Sequence, residues 1–380
     1  MTGLIMYKKK ILCSVIFIGM ILWIIVDSCR PDHLFSRTEN RLLQQKPSFS
    51  GQKFLEETYQ QEYEKYLSDQ FLYRDKWVSL KTKLEILSGK KEINGVYLAS
   101  DGSLIERHLP SEIDPDTAEK KLYELKNFIE NYEHLNENKT EQTDVKVMLV
   151  PTADIIYQEK LPPYAEQFDQ IAYLNKAEEI LGEGYLIDVK TALSEHANEY
   201  LYYRTDHHWT TLGAFYGYQQ YCKVMEWDSG TVPQRPAYKQ TVSKDFYGSL
   251  ARKTQLYKNP DEIVLYRIPG DDELKVSFDG VWEQGIYDFN AVASNRDQYE
   301  IFLGGNHGFV EIQTGRKNKR TLLIIKDSYA NCMIPFLIPD YEKIVIVDPR
   351  YYRGSMDELI RNKDFTQILI LYNVIHFIGA

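Results

Sequence analysis

The stretch Leu322-Leu-Ile-Ile-Lys-Asp-Ser-Tyr329 decides the expected fold, because it places a serine directly behind a short apolar run. The run predicts a buried strand, and a helix is expected after Ser328. Two further apolar runs, 343–347 and 367–371, predict strands, with a short helix at 355–362 between them. Strands and helices that alternate in this way predict an α/β fold, a parallel sheet flanked by helices.

The chain before this stretch mixes helical and strand patterns. Apolar residues at three- and four-residue steps predict helices at 51–89, 113–138, 168–181 and 207–225. Short β-branched runs predict strands at 145–150 and 185–189 and a hairpin at 95–105 with Asp101-Gly102 at its turn. Residues 228–300 are rich in Gly, Pro, Tyr and charge, and they are predicted to form an irregular insertion with only short strands.

The N-terminus predicts a single membrane anchor. Lys8, Lys9 and Lys10 precede an apolar run at 11–26, and lysines beside such a run indicate the cytoplasmic side. We therefore expect a cytoplasmic tip and anchor at 1–27, a linker at 28–50 and an extracytoplasmic catalytic domain at 51–380. A cleaved signal peptide is the alternative, but Val26-Asp27-Ser28-Cys29 lacks a small-x-small cleavage site.

The net charge and the cysteine content limit the kinds of partner, disulfide and metal site that the chain can have. The net charge of −10 argues against nucleic acid and favours an ordinary soluble domain beyond the anchor. Four cysteines are present, and only Cys222 and Cys332 lie well beyond the anchor. They could pair in an oxidising compartment, which the sequence does not decide. No Cys/His set has the spacing of a structural zinc site, and no metal or other cofactor is expected.

Two segments carry the residue types of nucleophilic catalysis. Ser328 follows a predicted buried strand, where a serine serves either as a nucleophile or as a helix N-cap. Asp206-His207-His208-Trp209 places a carboxylate two residues before an imidazole. Asp206 can then orient His208, whose other ring nitrogen is free to deprotonate a serine. The alternatives are a helix cap with packed rings, or a metal site for which no third convincing ligand is seen.

Further candidates follow the ends of the predicted strands. Ligands bind at the carboxyl ends of parallel strands, and Arg350 and Asn373 follow such ends. Asn373 and the backbone N–H of Tyr329 could stabilise an oxyanion, and Arg350 could contact the substrate. An ordinary turn asparagine and a surface ion pair are the alternatives for the two side chains.

The segment Tyr203-Arg-Thr-Asp-His-His-Trp-Thr210 resembles the signature of the bacterial DHHW family. Asp-x-His followed far downstream by a strand and Asp-Ser is similar to the alginate O-acetyltransferases AlgJ and AlgX. The resemblance extends over residues 36–380. Its weaker pieces are Ser36-Arg-Thr-Glu-Asn-Arg41, Asp69-Gln-Phe71 and Leu161-Pro-Pro163.

This resemblance implies an SGNH-hydrolase-like, circularly permuted fold with Ser328 as nucleophile, His208 as base and Asp206 as orienting group. By strand order, Asn373 falls at the family's oxyanion asparagine, whereas Arg350 stands near the expected oxyanion glycine, which is missing. The implied activity is O-acetylation of a cell-surface or secreted polysaccharide, with a membrane-bound O-acyltransferase delivering the acetyl group. A carbohydrate acetylesterase with the same triad and a non-catalytic glycan-binding or scaffold protein remain alternatives.

Overall fold

The structure is a computed structural model, and it describes residues 2–36, 39, 41–133, 143–227, 238–294 and 297–379. The chain divides into two compact units, Met1–Ser88 and Gly89–Ala380. The borders expected after residues 27 and 50 stay predictions, and the helices expected at 51–89 belong to the first unit. Parts of the predicted linker, of the helix at 113–138 and of the insertion at 228–300 lie outside the described residues.

The first unit consists of helices and one very short strand pair. Its elements are α1 (Thr2–Ser28), β1 (Phe35–Ser36), β2 (Arg41–Leu42), α2 (Gly51–Leu55), α3 (Thr58–Gln70) and α4 (Arg74–Leu87). The helical pattern of 51–89 is interrupted at Glu57 and Tyr73, whose left-handed φ angles are 58° and 59°. Buried Asp69 accepts two hydrogen bonds from the Arg41 guanidinium, at 2.8 and 2.6 Å. These bonds lower the pKa of Asp69 to about 2.

Helix α1 contains one segment, Lys10–Asp27, that is long and apolar enough to cross a membrane, and none of this segment is buried. A signal sequence near an N-terminus has the same length and composition. The helix predicted from the sequence is therefore present, and its topology stays a prediction.

The second unit contains the remaining elements. Its strands are β3 (Glu92–Ile93), β4 (Val96–Leu98), β5 (Leu104–Glu106), β6 (Asp144–Val150), β7 (Lys239–Phe246), β8 (Asp261–Tyr266), β9 (Lys275–Phe278), β10 (Val281–Gln284), β11 (Phe309–Gln313), β12 (Thr321–Lys326), β13 (Lys343–Val347) and β14 (Gln367–Asn373). Its α-helices are α5 (Pro115–Glu133), α6 (Ala153–Ile156), α7 (Gln170–Leu181), α8 (Val189–Glu195), α9 (Thr211–Val224), α10 (Ser249–Thr254), α11 (Phe289–Ala293), α12 (Ile334–Leu337), α13 (Met356–Asn362) and α14 (Val374–Gly379).

A seven-stranded sheet in the order β10-β9-β11-β13-β12-β14-β6 forms the centre of this unit. Strands β13, β12, β14 and β6 pair in parallel, as the sequence predicts. Strands β11, β9 and β10 pair antiparallel. The fold is therefore α/β with a mixed sheet, and the expectation of a wholly parallel sheet is wrong.

Two strands of the antiparallel part, β9 and β10, come from the segment that was expected to be irregular, and β11 follows that segment. Strands β9 and β10 form a hairpin whose two-residue turn is Asp279-Gly280, with φ angles of 48° and 92°. Asp-Gly with both φ angles positive is a favoured hairpin turn because its twist matches that of the strands. The described residues of 228–300 also contain the β7–β8 pair. The segment predicted to be irregular with only short strands therefore supplies two strands of the central sheet and a separate strand pair.

Alternating side chains of the parallel strands fill two hydrophobic cores, one on each face of the sheet. In β12, Leu322 and Ile324 belong to one core, and Leu323 and Ile325 belong to the other. Because both faces are covered, the four central positions of the strand, Leu322–Ile325, are all apolar, which explains why this run is continuous in the sequence. The carboxyl end of β12 is thereby fixed from both sides, directly before Ser328.

Two local predictions near the site need correction. Residues 185–189 form no strand; Leu186 makes a single parallel bridge to Val147, and α8 begins at Val189. The helix expected from residue 207 begins at Thr211, because the Thr210 hydroxyl accepts the Gly213 N–H at 3.3 Å as its N-cap. The Asp206–Trp209 tetrad therefore lies in a loop, so the directions of its side chains are not set by the geometry of a helix.

Candidate active site

Ser328 opens a 3-10 turn, Ser328–Cys332, at the carboxyl end of β12. The N-cap of this turn is Asp327, whose Oδ1 accepts the Tyr329 N–H at 2.9 Å. Because Asp327 performs the capping, the alternative that Ser328 serves as the cap is wrong. The Ser328 hydroxyl is left available for another partner, although the residue is only 7% exposed.

That partner is His208, and the three predicted triad side chains form one hydrogen-bonded relay. Ser328 Oγ lies 2.8 Å from His208 Nε2, and His208 Nδ1 lies 2.5 Å from Asp206 Oδ1. All three residues are buried. Both distances fall in the range of about 2.6–3.2 Å, or just below it, expected for a nucleophile, its base and the group that orients the base.

The loop that carries Asp206 and His208 is closed by backbone bonds. Tyr202 and Trp209 form an antiparallel bridge, and Tyr203 N–H donates to the His208 carbonyl at 3.2 Å. Trp209 is fully buried, and its Nε1–H donates to the Tyr329 carbonyl at 2.8 Å. This bond joins the loop directly to the turn that presents the serine.

A second contact holds Asp206 from the side away from His208. The Ser249 N–H, at the start of α10, donates to Asp206 Oδ2 at 2.7 Å. Gly248 packs so closely that a β-carbon there would lie 2.2 Å from Asp206 Oδ2. Burial alone would raise the pKa of Asp206, but the imidazoles of His207 and His208 and the Ser249 N–H hold that pKa well below its usual range. Asp206 is therefore an anion at neutral pH.

Tyr299 completes the packing around the imidazole. Its ring stacks on that of His208, with centroids 3.8 Å apart and planes 10° apart. Its hydroxyl donates to the Ser328 carbonyl at 3.1 Å. One buried side chain thus contacts both His208 and Ser328, and it limits the tilt of the His208 ring.

His207 points away from the relay, toward α10. Its Nδ1 lies 2.6 Å from the Ser249 hydroxyl, and its ring lies beside that of His208 with centroids 3.9 Å apart. Burial and the neighbouring His208 lower the pKa of His207 to about 4. The imidazole is consequently neutral at physiological pH and adds no charge beside the relay.

The predicted oxyanion and substrate residues have other partners. Asn373 Nδ2 donates to Asp327 Oδ2 at 3.0 Å, and the Tyr329 N–H is held by the same carboxylate. The Arg350 guanidinium donates twice to Asp348, at 2.9 and 2.6 Å. The roles assigned to Asn373, Arg350 and Tyr329 stay predictions. In this geometry the single Tyr329 N–H would have to release Asp327 first, whereas the Asn373 amide and the Arg350 guanidinium carry further N–H groups.

The profile of the DHHW protein family matches residues 127–347, which is more than half of the chain. The chain belongs to the DHHW family. The resemblance inferred from the sequence is thereby confirmed. No protein with a curated description matches this DHHW protein.

Two solved structures with TM-scores above 0.5 share the fold of this DHHW protein. A DHHW protein from Eubacterium siraeum is 26% identical, with a TM-score of 0.61; the alignment covers 76% of this chain and 94% of that one. Bacillus cereus PatB1, solved with a sulfonyl adduct, is 18% identical, with a TM-score of 0.58 and coverages of 75% and 95%. The O-acetyltransferase domain of Pseudomonas putida AlgJ is more distant, 12% identical with a TM-score of 0.44 and coverages of 75% and 93%.

Sequence reasoning missed Gly248, Ser249 and Tyr299, which all come from the segment expected to be irregular. It also missed His376, whose Nδ1 lies 3.0 Å from the same Oδ2 of Asp327 that Asn373 contacts. His376 stands three residues after the end of β14, in α14, so the rule that ligands bind near strand ends could have found it. No comparable local signal marks Tyr299, because its partner lies far away in the chain.

The Asp206–His208 cluster also contains enough ligand types for a metal ion. One ligand atom each from Asp206, His207 and His208 lies within 4.8 Å of the others. Both nitrogens of His208 are engaged by Asp206 and Ser328, and His207 Nδ1 is engaged by Ser249. The arrangement fits a proton relay better than a ligand set, since a metal would have to displace these bonds.

The two cysteines of this unit are separate. Cys222 and Cys332 are both buried and unpaired, so the open possibility of a disulfide between them is not realised in this structure.

Proposed function

We propose that this DHHW protein is an O-acetyltransferase that acetylates a cell-surface or secreted polysaccharide through an acetyl-serine intermediate. The observation that carries the proposal is the buried relay, with Ser328 Oγ 2.8 Å from His208 Nε2 and His208 Nδ1 2.5 Å from Asp206. A serine, a neutral imidazole base and an orienting carboxylate are the parts that nucleophilic acyl transfer requires.

In the first step, Ser328 Oγ attacks the carbonyl carbon of an acetyl ester or thioester. The Ser328 proton passes to His208 Nε2, and Asp206 stabilises the imidazolium that forms. The bond between the acetyl carbon and the donor heteroatom then breaks, and the leaving group takes the proton from His208. Acetyl-serine and a neutral imidazole remain.

The developing oxyanion needs donors aimed at it. The Ser328 N–H has no protein acceptor among the residues that the structure describes, so it is the donor that is ready for this role. The Tyr329 N–H and Asn373 Nδ2 are held by Asp327. We therefore assign the Ser328 N–H as the first oxyanion donor and keep Asn373 as a candidate for the second.

In the second step, a sugar hydroxyl takes the place of the leaving group. Its proton passes to His208 Nε2 while its oxygen attacks the acetyl carbon, and the C–O bond to Ser328 breaks. Ser328 Oγ then takes the proton back from the imidazole. An acetylated sugar is released, and the enzyme returns to its starting protonation state.

The cellular setting of the proposal comes from the N-terminal helix and the family resemblance. α1 would span the membrane once and leave Gly89–Ala380 outside the cytoplasm, where the polymer lies. A membrane-bound O-acyltransferase would supply acetyl groups across the same membrane. The catalytic domain would be SGNH-hydrolase-like and circularly permuted, since Asp206 and His208 precede Ser328 in the chain.

The proposal is tested with the full chain in detergent or vesicles. Wild type is expected to release p-nitrophenol from p-nitrophenyl acetate, and Ser328→Ala is expected to lose this activity, because the attacking oxygen is gone. A sulfonyl fluoride should label Ser328 in the wild type, as peptide mass spectrometry would show. Ser194→Ala, an exposed serine on α8, is the matched control and should behave as wild type.

Product analysis separates the possible outcomes. Acetyl esters on an added polysaccharide support the transferase, whereas acetate alone would make the protein an esterase with the same triad. Equal release by wild type and Ser328→Ala, together with no labelling of Ser328, would leave a non-catalytic glycan-binding protein.

A further inference from the structure

We propose that helix α4 lies in the membrane–water interface beside α1, with an apolar stripe in the lipid. The apolar stripe consists of Trp77, Leu80, Leu84 and Leu87. The inference rests on α1 spanning a membrane, and it is independent of the acetyl-transfer chemistry. Its occupant is a lipid surface with anionic headgroups.

The apolar stripe is exposed along the whole helix. Its four side chains are 49%, 44%, 56% and 81% exposed, in chain order. At about 100° per residue they fall within an arc of about 80°. Thr82, on the other side of the helix, is buried. A helix of a soluble protein normally buries its apolar face against the core. In α4 the apolar stripe is instead exposed.

Basic residues stand along both edges of the apolar stripe. Lys76 and Lys83 lie on one edge and Lys81 lies on the other, by the same helical geometry, while Arg74 beside Lys81 is paired with Glu39 at 2.7 Å. Long basic side chains beside an apolar face can extend to phosphate headgroups while their stems remain in the apolar layer. This charge pattern favours a lipid surface over an apolar protein groove, where the flanking lysines would lose solvent.

Contacts within the first unit fix the level at which α4 begins. Trp23 lies near the end of the apolar segment of α1, and its ring centroid is 6.4 Å from those of Phe71 and Tyr73. Gln70 is bound to His33, just past that segment: His33 N–H donates to Gln70 Oε1 at 2.8 Å, and Gln70 Nε2 donates to the His33 carbonyl at 2.9 Å. α4 starts only a few residues later, so its first turn lies where a spanning α1 leaves the bilayer.

Aromatic residues at this level fit the same location. Trp and Tyr are enriched where bilayers meet water, because their rings are partly apolar and carry a polar group. The rings of Trp23 and Tyr73 lie 6.4 Å apart at the junction of α1 and α4, and Trp77 follows one turn later in α4. With 14 residues, α4 is about 21 Å long, and this length would hold the chain at the surface up to the start of the second unit.

The test uses the full chain in vesicles of phosphatidylcholine and phosphatidylglycerol. In a Cys13→Ser, Cys29→Ser background, a nitroxide spin label is placed at Leu84→Cys. A matched label goes at Ser79→Cys, about 120° around the helix from the centre of the apolar stripe. Collision with oxygen, which concentrates in lipid, is compared with collision with a water-soluble nickel chelate. Vesicle flotation tests α1 separately.

We expect the oxygen-to-nickel collision ratio to be severalfold higher at position 84 than at position 79. Lys81→Glu with Lys83→Glu should lower the ratio at position 84 in the anionic vesicles and leave it unchanged in pure phosphatidylcholine. Equal ratios at both positions, or a label at position 84 that neither reagent reaches because protein covers it, would overturn the proposal. Failure of the chain to float would remove its premise and overturn it as well, while acetyl-transfer assays stay unaffected.

Discussion

Gly248→Ala should disable the proposed relay without altering any of its three side chains. The new methyl carbon would lie 2.2 Å from both Cβ and Oδ2 of Asp206 and 2.5 Å from its Cγ. Carbon atoms in contact are normally separated by about 3.5 Å or more, so the carboxylate or the α10 backbone has to move by about 1.3 Å. The Ser249 N–H that binds Asp206 belongs to the same segment, so it moves too.

The size of the effect follows from that displacement. A misplacement of about 1 Å in catalytic geometry can cost about 100-fold in rate, and complete loss of the orienting carboxylate costs about 10⁴-fold in a serine protease. We therefore expect kcat/KM for p-nitrophenyl acetate to fall by about 10² to 10⁴, which is about 3–5 kcal/mol. Overpacking should lower the free energy of unfolding by about 1–3 kcal/mol.

The assay compares three forms of the full chain. Wild type, Gly248→Ala and Gly379→Ala are assayed for ester hydrolysis and for urea unfolding. Gly379 is the matched control, since a β-carbon there meets no atom within 4 Å. A folded Gly248→Ala protein whose kcat/KM is within about twofold of wild type would refute the reasoning, because the loop would then absorb the methyl group without moving Asp206.

Three further outcomes are expected. Lowering the pH from about 6.5 to 4 should destabilise the fold through His207, because the unfolded imidazole takes up a proton near pH 6.5 and the folded one only near pH 4. The free energy of unfolding should fall by at most about 3 kcal/mol, and by less than that because 24% of the His207 side chain is exposed to solvent. In urea unfolding, His207→Gln should lose less stability than wild type over the same pH range. Tyr299→Phe keeps the ring stacked on His208 but loses the hydrogen bond to the Ser328 carbonyl, so kcat/KM should fall about fivefold. A fall of more than about 100-fold would mean that the Tyr299 hydroxyl takes part in the chemistry. Asp327→Asn should lower the free energy of unfolding by about 2–4 kcal/mol, because one buried carboxylate accepts bonds from Tyr329 and Asn373; a shift below about 0.5 kcal/mol in urea unfolding would contradict this.

The parallel half of the sheet could be predicted because its strands are buried on both faces. Every position of β12 except its first is buried, and such strands appear in a sequence as continuous apolar runs. The antiparallel half was missed, because β10 is exposed at every position and β9 and β11 are buried only in part, so none of the three carries such a run. Its turn, Asp279-Gly280, was the available signal, and it lay inside a segment whose composition is typical of loops.

The residues of the candidate site also fall into those that the sequence could predict and those that it could not. Asp206 and His208 are two residues apart, and local chain geometry alone allows a carboxylate and an imidazole at that spacing to meet. Asn373 was predicted at a strand end and lies at one, but its partner is the Asp327 carboxylate. A rule about strand ends gives the neighbourhood of a side chain and not the atom to which it bonds.

The sequence by itself determined the elements whose cause is local: the apolar strand before Ser328, the Asp206-His208 pair, the apolar N-terminal helix and membership of the DHHW family. The tertiary structure alone decided that Ser328 reaches His208 across 120 residues of chain. It likewise decided that Tyr299 stacks on the imidazole and that Gly248 leaves room for Asp206. Periodicity records which face of an element is buried, whereas contacts of this kind depend on strand order and close packing, which no stretch of sequence carries alone.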